Sequence, residues 1–250
     1  MNVLSPRDAR PAGDLTAVIL AGGMGTRLRP VVSDRPKVLA EVNGAPFILY
    51  LLEWLAGHGV KNVTLCTGYG ADAIQSELGS ERGLLRLTYA REAAPLGTGG
   101  ALRNAWNIEW SDPVLVLNGD SYHDVNLSEM VRAHRQNQAV ATLALCEVPD
   151  ASRFGSGQIG PDGRMMSFLE KQPEERPGWI NAGIYLMANE LLGGLPPGRA
   201  CSLEREVFPS LLGGRFFGFR SGNSEFIDIG TPASYRAASA FFARHPLRRP

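Results

Sequence analysis

Two cations stand beside a glycine-dense turn near the start of the chain. The run is Leu20-Ala21-Gly22-Gly23-Met24-Gly25-Thr26-Arg27-Leu28-Arg29-Pro30, followed by Pro36-Lys37. Glycines carry no β-carbon, so their backbone N–H groups can approach a polyanion closely. A guanidinium such as Arg27 grips two phosphate oxygens with its planar fork, and an ammonium such as Lys37 adds a mobile point charge. The combination reads as a polyphosphate cradle. It is not a Walker A loop, and it lacks the G-x-G-x-x-G spacing and ribose-binding acid of a dinucleotide fold.

Further down the chain lie the other groups able to do chemistry. Leu96-Gly97-Thr98-Gly99-Gly100 is a second glycine loop opening a helix. Its backbone can read a purine edge, and Thr98 can equally cap the helix. Gly68 and Tyr69, after a strand, offer a second approach to a base. Asn118-Gly119-Asp120 closes an apolar strand; a carboxylate there is a turn former or a metal ligand. Asp228 lies between Ile227 and Ile229, so strand alternation turns its side chain away from both. A carboxylate on a core strand needs a partner or a metal. Glu170-Lys171 ends another strand-like run and, read alone, is a surface ion pair of little worth. Asn181 donates and accepts, which suits a hydroxyl-rich ligand. His123 and Asp124 read as loop residues.

The elements that must position these groups follow from the hydrophobic pattern. Residues 17–21 read as a buried strand running into the first glycine turn. A mostly buried helix is expected over 46–54, with Pro46 at its first position and Gly57 and Gly59 able to end it. Strands are expected over 62–66, 84–90 and 114–117, and helices over 71–78 and 101–106. This alternation predicts an α/β fold: a Rossmann-like mixed, mainly parallel sheet with helices on both faces. Ligands of such sheets sit beyond the carboxyl ends of strands, where both glycine loops and Asp120 fall. After residue 139 strands dominate: 140–148, 164–169, 180–187, 216–219 and 226–229, then a helix over 232–244. Asp162-Gly163 signals a hairpin turn. Residues 1–15 read as a mobile extension without a secretory h-region. The expected organisation is one domain over 16–245, with a nucleotide-binding half at 16–138 and a sugar-binding half at 139–245.

Bulk properties narrow the class. The chain has 250 residues and a formal net charge of zero. Broad attraction to nucleic acid or to an acidic membrane is therefore not expected. No apolar run reaches membrane-spanning length. Cys66, Cys146 and Cys201 form no C-x-x-C, which favours a reducing cytoplasm over a disulfide framework. A homo-oligomer is compatible with the sequence.

The motifs together resemble the GT-A-like sugar-1-phosphate nucleotidyltransferases, whose opening motif has the form L-A-G-G-x-G-T-R-L-x-P with a following P-K. The likeness recurs from about residue 16 to residue 243. Within the family it extends to the D-glycero-α-D-manno-heptose 1-phosphate guanylyltransferases, through Pro95-Leu96-Gly97-Thr98-Gly99-Gly100-Ala101, Asn118-Gly119-Asp120, Ile180-Asn181-Ala182-Gly183-Ile184-Tyr185 and Phe226-Ile227-Asp228-Ile229-Gly230-Thr231-Pro232. The resemblance implies GTP and a sugar 1-phosphate as substrates, with Mg²⁺ shared by Asp120 and Asp228. It implies that Arg27 and the first glycine turn hold the pyrophosphate, and that Leu96 to Gly99 line the base and ribose. It places Glu170, Asn181, Ala182 and Gly155 on the sugar, and Lys171 on its phosphate. Mannose 1-phosphate with GTP, N-acetylmuramate 1-phosphate with UTP, or glucose 1-phosphate with dTTP or CTP would show the same motifs. A non-catalytic NDP-sugar-binding subunit is the other class, and the presence of Arg27, Lys37, Asp120, Lys171 and Asp228 argues against it. The chain stops soon after the helix following Asp228, so no appended β-helix domain is expected.

Overall fold

Short apolar runs in the first half build parallel strands. The computed structural model describes residues 14–169, 175–222 and 225–247. Strand β1 (Thr16–Leu20) leads into the first glycine turn, and a 3-10 turn at Lys37–Leu39 follows. A small hairpin, β2 (Glu41–Val42) with β3 (Ala45–Pro46), precedes α1 (Ile48–Gly57). Pro46 thus pairs with Glu41 in the hairpin instead of opening the helix, which starts after Phe47. Next come β4 (Asn62–Thr67), α2 (Ala71–Leu78), β5 (Glu81–Arg82), β6 (Leu85–Arg91), α3 (Gly97–Ala105) and β7 (Val114–Asn118). The second half holds β8 (Ser121–His123), α4 (Leu127–Gln136), β9 (Ala141–Val148), β10 (Ser156–Ile159), β11 (Met165–Leu169) and β12 (Gly178–Met187). It ends with α5 (Asn189–Gly194), a π-helical turn (Leu203–Val207), α6 (Phe208–Leu211), β13 (Phe216–Arg220), β14 (Phe226–Asp228) and α7 (Pro232–Arg244).

One sheet joins both halves. β6, β4, β1 and β7 are mutually parallel neighbours. β12 then pairs antiparallel with β7 and with β9, and β13 lies parallel to β9. Successive side chains of a strand face opposite ways, and β1 shows it. Ala17 and Ile19 pack with residues of α1, α4 and α7, while Val18 packs with Ala101 and Leu102 of α3 and Phe208 of α6. Helices therefore cover both faces. The hairpin expected at Asp162-Gly163 joins β10 and β11.

One expected strand belongs elsewhere. β14 does not join the main sheet; it pairs antiparallel with β8, setting Asp228 opposite Ser121. Asp228 is therefore not on a core strand. The two-stranded ribbon carries it beside Asp120, and the Ile229 N–H donates to the Asp120 carbonyl at 2.9 Å. Helix α7 is capped by Thr231 and Ser234, which bond each other's backbone.

The cysteines Cys66, Cys146 and Cys201 are free and buried. Among the described residues no helix is long and apolar enough to cross a membrane. The expected extension over 1–15 lies outside the described residues up to residue 13; Leu15 is buried.

His134 of α4 is buried, and its Nδ1 meets Thr142 Oγ1 of β9 at 2.8 Å. Burial, with the Arg135 charge, pushes this imidazole down from 6.5 to about 4. The unfolded chain therefore binds the proton first as pH falls, and stability drops between pH 6.5 and about 4. Denaturant titrations at pH 7 and pH 5 should show a smaller acid loss for His134→Gln than for the unmodified chain. Equal losses would contradict this placement.

Candidate active site

Beyond the carboxyl ends of β1 and β7 lies a cleft of about 480 Å³, lined by Leu20 to Arg27, Lys37, Glu92, Gly97, Thr98, Asn118, Asp120 and Gly230 among others. That size suits a small-molecule ligand.

The first glycine turn and the Pro-Lys pair act together. Gly25 has φ +59°, a left-handed conformation that favours glycine. A β-carbon there would lie 3.0 Å from Lys37 Cβ, so its absence leaves room for the lysine stem. Pro36 packs against Gly70, φ +67°, where a β-carbon would be 2.2 Å from Pro36 Cγ. Proline and lysine are thus seated on two glycines, and Lys37 reaches Asp120. Its Nζ donates to Asp120 Oδ2 at 2.5 Å, with only 11% of the lysine side chain exposed.

Asp120 and Asp228 each hold a cation. Burial works to raise the Asp120 carboxyl, but the charge and hydrogen bond of Lys37, the Ser121 hydroxyl and the Arg27 charge outweigh it. The carboxyl is held below its ordinary range. Asp228 Oδ1 accepts from Arg153 at 3.1 Å, and its Oδ2 accepts from the Gly230 N–H at 2.7 Å. Gly230 marks where the groups converge. A β-carbon there would lie 2.5 Å from Asp228 Oδ2, 3.5 Å from Lys37 Nζ and 3.6 Å from Arg27 Nη2. Arg27, Lys37, Asp120 and Asp228 therefore share one site, as the motifs lead one to expect. Arg153 was not singled out by the sequence reading. Its signal was a lone arginine in a loop, and only the fold brings it to Asp228.

Glu92 is the other residue that motif reading missed. It follows β6 and lines the cleft. Its Oε2 accepts from the Leu96 N–H at 2.8 Å. Its Oε1 lies where a side chain at Gly22 would be, 2.7 Å from a β-carbon built there. Burial raises this carboxyl, against the lowering effect of the Leu96 N–H. Its place four residues before the second glycine loop is the signal that could have found it.

Several of the expected ligand-binding residues have partners within the fold. The second glycine loop is not a free backbone edge: Gly99 and Gly100 donate to the Cys201 carbonyl, and Leu96 accepts from the Cys201 N–H. Thr98 does not cap α3; its hydroxyl donates to Glu204 at 2.8 Å. Gly119 donates to the Leu20 carbonyl at 2.9 Å, which fastens β7 to β1. Gly68 and Tyr69 back the Gly22 turn, with the Tyr69 N–H 3.4 Å from the Gly22 carbonyl. Asn181 uses its amide internally, donating to the Tyr185 hydroxyl and accepting from the Gly183 N–H, both at 2.9 Å. The Gly155 carbonyl accepts from the Asn181 N–H at 2.7 Å, and Ala182 is buried. Asn118 lines the cleft, and its Oδ1 is buried with no hydrogen-bond partner among the described residues. Asp124 lies in a loop, as expected, and accepts from Trp54 Nε1, whereas His123 is not a loop residue: it ends β8, pairs with Phe226, and its buried ring meets the Glu225 carbonyl and Ser221. Glu170 and Lys171 lie outside the described residues.

A model of the family described as nucleotidyl transferase matches residues 16–245. A mannose-1-phosphate guanylyltransferase of Mycobacterium tuberculosis (strain ATCC 25618 / H37Rv) is 37% identical over 232 residues, 91% of this chain and 64% of the relative. The chain thus spans under two thirds of that relative's length. A D-glycero-alpha-D-manno-heptose 1-phosphate guanylyltransferase of Aneurinibacillus thermoaerophilus is 35% identical over 225 residues, 90% of this chain and 96% of the relative. Among solved structures, HddC from Yersinia pseudotuberculosis complexed with GMP-PN superposes with a TM-score of 0.81 at 32% identity, covering 91% of this chain and 99% of that one.

The seating of Lys37 can be tested without any substrate. Gly70→Ala puts a methyl into Pro36 and strains the backbone, so it should cost about 1–3 kcal/mol in denaturant unfolding. Adding Pro36→Ala should recover part of that loss. Losses that simply add would contradict the packing.

Proposed function

The chain belongs to the nucleotidyl transferase family, and on that premise we propose that it transfers GMP from GTP to a sugar 1-phosphate and releases pyrophosphate. The convergence of Arg27, Lys37 and Asp228 at Gly230, in the cleft that also holds Asp120, carries this reading. D-glycero-α-D-manno-heptose 1-phosphate is the acceptor, supported by the Aneurinibacillus relative's name and its near-complete overlap. Mannose 1-phosphate is the second reading, supported by the mycobacterial relative.

Both reactants are anions, so their repulsion is the obstacle. A phosphate oxygen of the sugar 1-phosphate attacks the α-phosphorus in line; the new P–O bond forms as the bond to pyrophosphate breaks. The nucleophile is already ionised and needs no general base. Positioning and charge neutralisation supply the catalysis. Arg27 and the glycine turn hold the leaving pyrophosphate, Lys37 the α-phosphate, and Lys171 the sugar phosphate. Asp120 and Asp228 are the residues that would hold a Mg²⁺ ion, which takes one or two carboxylates together with phosphate oxygens. When bound, the ion would neutralise phosphate charge. Lys37 and Arg153 pair with these two carboxylates.

Glu92 supports guanine as the base. An ionised carboxylate only accepts hydrogen bonds. Guanine presents two adjacent donors, N1–H and N2–H, while adenine and the pyrimidines pair a donor with an acceptor on the matching edge. A panel of NTPs and sugar 1-phosphates, scored by pyrophosphate release with Mg²⁺ added, tests the reading. GTP with the heptose phosphate should react best. Glu92→Gln should raise the GTP KM by about tenfold, the worth of a charged hydrogen bond. No release from any pair, or a Glu92→Gln variant indifferent to the change, would contradict the respective half of the proposal.

A further inference from the structure

The second glycine loop is held from behind by a segment that never reaches the cleft. The Cys201 carbonyl accepts from Gly99 at 2.9 Å and from Gly100 at 3.2 Å, while the Cys201 N–H donates to Leu96 at 2.8 Å. Two residues on, the Leu203 N–H donates to Thr98 Oγ1 at 2.8 Å. The Thr98 hydroxyl then donates to Glu204 Oε2, also at 2.8 Å. A hydroxyl that both accepts and donates has no rotational freedom left, so Thr98 is locked. Thr98 and Gly97 line the cleft, whereas Glu204 does not.

Glu204 is not needed to finish its own helical turn. The segment Leu203–Val207 is π-helical and is capped by Ser202, whose Oγ accepts from the Arg205 N–H at 3.2 Å. The reciprocal bond comes from Glu206, whose Oε1 accepts from the Ser202 N–H at 2.9 Å. Glu206 therefore completes the cap. Glu204 is left to point at Thr98, with the Ser202 hydroxyl donating to the same oxygen at 3.1 Å. π-Helical turns are rare and recur at functional sites, and this one aims a carboxylate at a loop of the cleft.

We propose that Glu204 is a positioning residue for the nucleotide: through Thr98 it fixes the cleft face of the second glycine loop without touching the ligand. This rests on the reading that the cleft binds an NTP beside that loop. A loop held in its binding shape loses no ordering entropy when the ligand arrives. Freed from Glu204, Thr98 and its neighbours would have to be ordered at each binding event. The cost falls on the nucleotide and not on the sugar phosphate.

Steady-state pyrophosphate release separates this role from a merely structural one. Glu204→Ala should raise the KM for GTP about tenfold, with kcat and the sugar-phosphate KM within about twofold, as expected for one lost charge-assisted bond. Glu204→Gln keeps an accepting oxygen and should restore the KM to within about threefold of the unmodified protein. Thr98→Val, which also frees the Leu203 N–H, should raise the GTP KM at least as far as Glu204→Ala, and the double variant should be no worse than Thr98→Val alone. Thr98→Val by itself serves if Glu204→Ala does not fold. A GTP KM unchanged in both single variants, or additive losses in the pair, overturns the proposal. Absence of pyrophosphate release from the unmodified protein instead sinks the nucleotidyl-transfer reading, so the two failures are distinguishable.

Discussion

An ammonium and a carboxylate face each other at the mouth of β7, and the rest of the site is arranged around that pair. Lys37 and Asp120 are 2.5 Å apart, in a cleft that also holds Arg27 and opens beside Asp228 and Arg153. In the partly buried setting of the cleft, unpaired charge is costly. The protein meets that cost by pairing each carboxylate with a cation. The same cations are what a pair of phosphates would need.

The fold supplies this arrangement through close approach of backbone. Lys37 reaches Asp120 because Pro36 lies on Gly70 and the lysine stem crosses Gly25. Asp228 reaches the same place because β14 leaves the main sheet to pair with β8. Glu92 and Glu204 work at the second glycine loop from opposite sides. One accepts from Leu96 within the cleft, and the other holds Thr98 from outside it. Such a loop is preorganised by neighbours instead of by the ligand.

Much of this was legible in the sequence, and the reasons for the rest are specific. Local pattern placed β1, α2, β7 and α7 to within a residue or two, because each is a short apolar run or an amphipathic helix bounded by Gly, Pro or a capping Thr. The meeting of Arg27, Lys37 and the two aspartates in one place was legible from motifs that lie at or after strand ends. Pairing partners were not. Alternation around Asp228 suggested a core strand, since period-2 pattern cannot say which strand lies alongside. Nor could it say that the backbone of Gly99 and Gly100 would be taken by Cys201, a hundred residues away. Arg153 and Glu204 carry no local signature, because their roles exist only through tertiary contact.

Asp120 is the carboxylate around which the charge of the proposed transfer is organised. The most direct measurement is pyrophosphate release by Asp120→Asn beside the unmodified protein, with Mg²⁺ present and folding confirmed by circular dichroism. A loss of at least about a hundredfold in kcat/KM with a preserved fold is expected, in line with removal of a group that stabilises the transition state. A folded variant turning over within about threefold of the unmodified protein would contradict it.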